Sequence, residues 1–242
     1  MKNLHPPQVI FFDAAGTLLE VRGSVGEIYS RVASQYDLHV DAKQLQQGFA
    51  RWFRLQPPMA FPIGPAETPN EKLPLMEKDW WRNLVRAVFS DCGAFPHFDD
   101  FFDDLFERFR TSEFWRVYDD VMPALGELKR RGLRLGVISN FDSRLLDVLG
   151  ACGLEQFFDS VHISTQVGAA KPDLVIFQAA LKDHAIEPHQ ALHIGDSPRE
   201  DVEGAQAAGI QAVLLDRSLC PAENPTSANI TSLDQLPALL TA

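Results

Sequence analysis

Cysteine is scarce in this 242-residue chain: Cys92, Cys152 and Cys220 are odd in number, far apart, and form no Cys-x-x-Cys pair. That argues against a disulfide framework or a thiolate metal centre and leaves reduced, buried thiols as the expectation. Long apolar runs are missing as well. No stretch approaches the roughly 18 residues a membrane span requires. Residues 1–8 carry two prolines and lead into a four-residue apolar run that Asp13 ends, which is not the make-up of a signal peptide. A cytoplasmic protein without a membrane partner is expected. Positive charge is in deficit, with 22 Lys plus Arg against 33 Asp plus Glu and a net charge of −11. Such a chain repels phosphate backbones and anionic lipid, so nucleic acid is not an expected partner.

Apolar residues, by contrast, make up 45% of the chain, including 17 Phe and 4 Trp, enough for a sizeable core. From residue 114 onward, short apolar runs at 133–138, 161–164, 191–194 and 212–215 alternate with amphipathic stretches, the pattern of strand-helix units in a parallel sheet. One helix has Pro123 in its first turn and Gly132 as its stop, and another is expected to open at Pro172 and run to Leu181. A further strand stands alone at 9–12. Residues 25–36, 42–55, 78–89 and 98–110 each show an apolar helical stripe. They predict a helical insert over 21–112, with 1–20 and 113–242 forming the α/β core. In the last stripe the acids Asp99, Asp100, Asp103, Asp104 and Glu107 fall on other faces and read as a solvated surface. Residues 56–74 hold six of the 16 prolines and read as a semi-rigid loop.

Four segments fall where strands end, the edge at which open parallel sheets bind ligands. After the first strand come Asp13-Ala14-Ala15-Gly16-Thr17, an acid followed by a tight-turn glycine. After the second, Ser139-Asn140 lead toward a helix expected to begin near Asp142, a ready anion-binding arrangement. Lys171 stands just before a helix start, where the helix dipole gives its charge nothing. After the fourth come Asp196 and Asp201, a spacing suited to a hard cation that bridges to a phosphoryl group.

In this order the four segments resemble the haloacid dehalogenase superfamily of hydrolases, over nearly the whole chain. The helical insert resembles the superfamily's cap, and Ala170-Lys171-Pro172-Asp173 with Ile176-Phe177 resembles its third motif. The resemblance implies a Rossmann-like parallel sheet, a small phosphorylated metabolite as substrate, and Mg²⁺ held by Asp13, Asp196, Asp201 and the carbonyl of Ala15. It further implies Asp13 as nucleophile and Thr17, Ser139, Asn140 and Lys171 as phosphate-binding residues, with Lys171 also neutralising charge. The reaction would pass through an aspartyl-phosphate at Asp13.

One position departs from that pattern. Phosphatases of the superfamily carry a second Asp two residues after the nucleophile, where this chain has Ala15. A backbone carbonyl survives that change, but acid-base help worth about 10²–10⁴-fold does not. Three readings follow: a Mg²⁺-dependent phosphohydrolase with its proton donor elsewhere, a weak or inactive phospho-ligand-binding relative, and attack by Asp13 on carbon or a phosphonate. The last fits poorly. Metal-free dehalogenases lack the paired acids, and a phosphonatase needs a cap lysine whose surrounding motif is not matched around Lys43, Lys72 or Lys78. Arg22, Arg51 and Arg54 read as surface arginines, and the seven histidines show no ligand spacing. Met59 and Phe61 fit either a substrate-facing or a packing position.

Overall fold

The computed structural model describes residues 6–61, 69–219 and 229–240, with residues 69–71 described by their backbone. Its strands are β1 (Val9–Phe12), β2 (Leu19–Val21), β3 (Trp115–Val117), β4 (Arg134–Ser139), β5 (Ser160–Ile163), β6 (Ala191–Gly195), β7 (Gln211–Leu215) and β8 (Asn229–Ile230). Six of them form one parallel sheet in the order β5-β4-β1-β6-β7-β8. β1 is fully buried, as a central strand of a sheet covered on both faces must be. Its alternation divides the core: Ile10 and Phe12 pack with Leu125, Leu128 and Leu145, whereas Val9 and Phe11 pack with Ile176, Phe177 and Ala205.

Between β1 and β4 lies a helical insert of α1 (Val25–Ala33), α2 (Ala42–Leu55), α3 (Pro69–Val88) and α4 (Phe98–Arg108). A capping box between Ser24 and Glu27 starts α1, and Asp41 caps α2. The insert has its own core, in which Tyr29, Leu84, Phe89, Phe101 and Phe102 are buried together. β2 and β3 pair antiparallel, with Val21 opposite Trp115, so the chain enters and leaves the insert side by side. The helices that follow are α5 (Val121–Arg130), α6 (Arg144–Ala151), α7 (Ser164–Val167), α8 (Leu174–Asp183), α9 (Gly204–Ala207) and α10 (Leu236–Leu239). Among the described residues no helix is long and apolar enough to cross a membrane.

Several sequence expectations need correction. α3 begins at Pro69 and carries Pro74 inside it, so the last residues of the expected 56–74 loop are helical; residues 62–68 of that loop lie outside the described residues. Leu73, Glu77, Trp80 and Leu84 are all buried at helical spacing, and this packed stripe holds the helix across the proline. α8 starts at Leu174, capped by Asp173, rather than at Pro172. α1 ends at Ala33 and gives way to a 3-10 turn over Ser34–Tyr36, and α4 stops at Arg108. Cys92 and Cys152 are unpaired and half-buried rather than buried; Cys220 lies outside the described residues. On α4, Asp99 and Asp103 make exposed ion pairs with Arg82, Arg86 and Lys78, consistent with a solvated face.

Candidate active site

Asp13 directly follows the central strand, and its N–H donates to the carbonyl of Ile194 at 2.9 Å. β1 and β6 pair in register through Phe12 and Ile194, which brings Asp13 and Asp196 to the same sheet edge. The approach depends on glycine. Gly16 has φ +87°, and a Cβ there would lie 2.5 Å from Asp196 Oδ2. A Cβ on Gly195 would lie 2.1 Å from Asp201 Cγ. Asp196 is exposed, whereas Asp201 sits buried on a π-helical turn over Pro198–Glu203 that Ser197 caps.

Lys171 ties the cluster together. Its Nζ is 2.7 Å from Asp13 Oδ1 and 2.6 Å from Asp201 Oδ1, and all three side chains are buried. Asp201 Oδ1 also meets His193 Nε2 at 2.8 Å, and Asp201 Oδ2 accepts from the Ser197 N–H at 3.0 Å. Asn140 clamps the lysine's backbone: its Oδ1 accepts from Lys171 N at 2.7 Å and its Nδ2 donates to Lys171 O at 3.0 Å. The same Nδ2 reaches Glu200 Oε2 at 3.1 Å. Ser139 is buried at the end of β4, where its hydroxyl faces Asp13 and favours the charged carboxylate.

The charges are unbalanced. Burial raises the Asp13 pKa even though Lys171 pulls it down. Burial would lower that of Lys171, but Asp13 and Asp201 outweigh it and hold the ammonium protonated. Asp201 stays well below the usual carboxylate range because Lys171 and His193 overcome its burial. Although Asp196 is exposed as a residue, desolvation of its carboxyl against the cluster, with Asp13 and Asp201 as neighbours, pushes its pKa up to about 7. Three carboxylates thus have ligand oxygens within 4.8 Å of one another, and the one ammonium beside them pairs with two, Asp13 and Asp201. An all-oxygen donor set with excess negative charge fits a hard divalent cation.

One expected binding feature is arranged differently. α6 begins at Arg144, and its N-terminal donors are taken by the chain itself: Asp142 Oδ1 accepts from Arg144 N at 2.9 Å, and Glu77 Oε1 accepts from Ser143 N at 2.9 Å. The helix end therefore binds the insert's own Glu77 rather than a free anion. Glu77 also accepts from the Ser143 and Thr165 hydroxyls, and Trp81 donates to Asp142, latching α3 to the sheet domain. Thr17 is fully buried, and its hydroxyl has no hydrogen-bond partner among the described residues.

A cavity of about 380 Å³ lies between the insert and the sheet domain and reaches Ala15, Gly16 and Asn140. Met59 lines it, and Phe61 packs in the insert core. Arg22, Arg51 and Arg54 are exposed and off this wall; Arg144 lines it instead. Sequence reading missed Arg144, His193 and Glu77, whose signals are single polar residues at core-facing positions.

Over nearly the whole chain the fold matches that of a HAD phosphatase from Thermococcus onnurineus, with a TM-score of 0.66, 23% identity and 97% of each chain covered. It matches equally an L-2-haloacid dehalogenase from Xanthobacter autotrophicus, with a TM-score of 0.69, 16% identity, and 98% of this chain and 99% of that one covered. Fold and site together define a capped, parallel-sheet hydrolase. The chain belongs to the haloacid dehalogenase-like hydrolase family, whose model matches residues 7–209. Over 240 residues it is 32% identical to haloacid dehalogenase-like hydrolase domain-containing protein 3 of Danio rerio, covering 97% of each protein.

Proposed function

We propose that this hydrolase is a Mg²⁺-dependent phosphohydrolase acting on a phosphorylated small molecule, with residues 21–112 as the cap and 1–20 and 113–242 as the catalytic core. The observation that carries the reading is the convergence of Asp13, Asp196 and Asp201 on one another, with Lys171 paired to Asp13 and Asp201. The fold is common to phosphatases and dehalogenases; the excess of carboxylate favours metal-assisted attack on phosphorus. Asp13, Asp196 and the Ala15 carbonyl would hold Mg²⁺, with Asp201 completing the acidic set. When bound, the ion neutralises charge so that an anionic phosphoryl group can approach a carboxylate.

Asp13 Oδ attacks phosphorus, and the bond from phosphorus to the leaving oxygen breaks with its electron pair going to that oxygen. Water then hydrolyses the aspartyl-phosphate, releasing inorganic phosphate and restoring Asp13. Lys171 offsets charge on the transferring group, and Asn140 and Asp201 hold it in place. Ser139 serves as a phosphate donor beside Asp13. Ala15 supplies no acid, which favours a weak phospho-ligand-binding relative as the second reading.

The test is thermal stabilisation by Mg²⁺ with beryllium fluoride, a mimic of the phosphorylated aspartate. At about 100 times Kd, a ligand that binds the folded state alone adds about 2.7 kcal/mol. We expect a joint shift in the unaltered chain that is lost in Asp13→Asn. No shift rejects both readings, and a shift without turnover of any phosphate ester selects the second.

A further inference from the structure

The cavity beside the acidic cluster is walled by rings, among them Tyr29, Phe49, Phe102, Phe106, Trp115 and Phe141. Its ionic groups are already spent. Arg144, which also lines it, is held by Asp142 at 2.8 and 2.6 Å, donates to Phe106 O at 3.0 Å, and stacks 3.7 Å from the Phe106 ring centroid. Glu20, at the cavity edge, pairs with Arg116. Burial keeps the Tyr29 hydroxyl protonated. Among the described residues, no charge on this wall is left to meet a carboxylate, an ammonium or a second phosphate on a substrate, and bringing such a group in would cost its hydration without return.

A second, independent feature narrows the chemistry. Ala15 lines the same cavity and has no carboxyl to protonate a departing oxygen. A leaving group that departs readily as an anion needs no such donor. Taking the phosphohydrolase reading as its basis, we infer that the substrate is a phosphate monoester of an uncharged, apolar aromatic alcohol, with the ring seated in the cavity and the phosphoryl group on Asp13. The aryl oxygen leaves with the bonding pair and takes its proton from water.

The experiment compares two esters of phenols matched in acidity, 4-propylphenyl phosphate and 4-(2-carboxyethyl)phenyl phosphate, with Mg²⁺. The apolar ester should have a kcat/KM higher by about tenfold or more, the scale on which apolar pockets discriminate. Phe53 lines the cavity yet is 46% exposed, so Phe53→Lys can place a cation at its edge without emptying a core. That variant should narrow or reverse the preference. Equal kcat/KM for the two esters in the unaltered chain would retain the phosphohydrolase and overturn the inference. If neither ester turns over, thermal protection by the matching phosphonates decides. Selective protection by 4-propylphenylphosphonate supports the apolar seat while rejecting the phosphohydrolase, and equal protection or none overturns the seat.

Discussion

Replacing Lys171 with methionine keeps the length and bulk of the side chain while deleting the charge shared by two buried carboxylates. The ammonium lies 2.7 Å from Asp13 and 2.6 Å from Asp201, and Lys171 is only 4% exposed. Removing one partner from such a group leaves the other charges unpaired in a poorly solvated place, which costs about 3–5 kcal/mol. In a chain of this size each kcal/mol moves Tm by about 2–4 °C, so the metal-free variant should melt about 6–20 °C lower at pH 8. The pH dependence fixes the cause. In the unaltered chain the raised pKa of Lys171 keeps its contribution whole until strongly alkaline pH. In the variant Asp13 loses its attractive partner, its pKa rises further, and the folded state takes up a proton as pH falls. Folded chains then bind more protons than unfolded ones, so the Tm deficit should shrink from pH 8 to pH 5. Thermal denaturation of both proteins in chelator at several pH values measures it. A deficit below about 1 kcal/mol, or one that widens toward pH 5, would refute the reasoning.

Gly16→Ala should lose the thermal shift given by Mg²⁺ and cost about 1–2 kcal/mol, because the residue keeps φ +87° and its methyl displaces Asp196; calorimetric titration and melting read the two effects. Ala15 is exposed toward the cavity, so Ala15→Asp has room, and it should raise the alkyl-to-aryl ratio of kcat/KM with about 10²–10⁴-fold as the upper bound. An unchanged ratio in steady-state kinetics would mean that another donor already serves. Glu77→Ala strands the Ser143 N–H and two hydroxyls that the carboxylate now accepts from. It should cost about 1.5–3 kcal/mol and speed limited proteolysis within the insert.

The parallel core was legible because 9–12, 133–138 and 191–194 are short, predominantly apolar runs broken only by Arg134 and His193, and strand ends locate the acids without any side-chain geometry. The β2–β3 pair escaped notice: three residues on each strand, separated by the whole insert, leave no local period. α3 was truncated in the reading because Pro74 breaks the propensity and Glu77 breaks the apolar stripe, although packing buries Glu77 with the rest. The role of Asp142 was hidden for a similar reason. Only the fold reveals that the helix end it serves is filled from the insert rather than left open to an anion.

The central position of β1 has a consequence for synthesis on the ribosome. Val9 pairs with Arg134 on one side and Ala191 on the other, so a strand with no polar face is made early and finds its neighbours late. At about 5–20 residues per second, the wait for the nearer partner alone lasts roughly 6–25 s. During that interval the insert between them can already fold around its own aromatic core, while Val9–Phe12 remains an unpaired template for other nascent chains. The geometry that brings Asp13 and Lys171 together across 158 residues thus makes expression yield depend on how the first strand is sheltered.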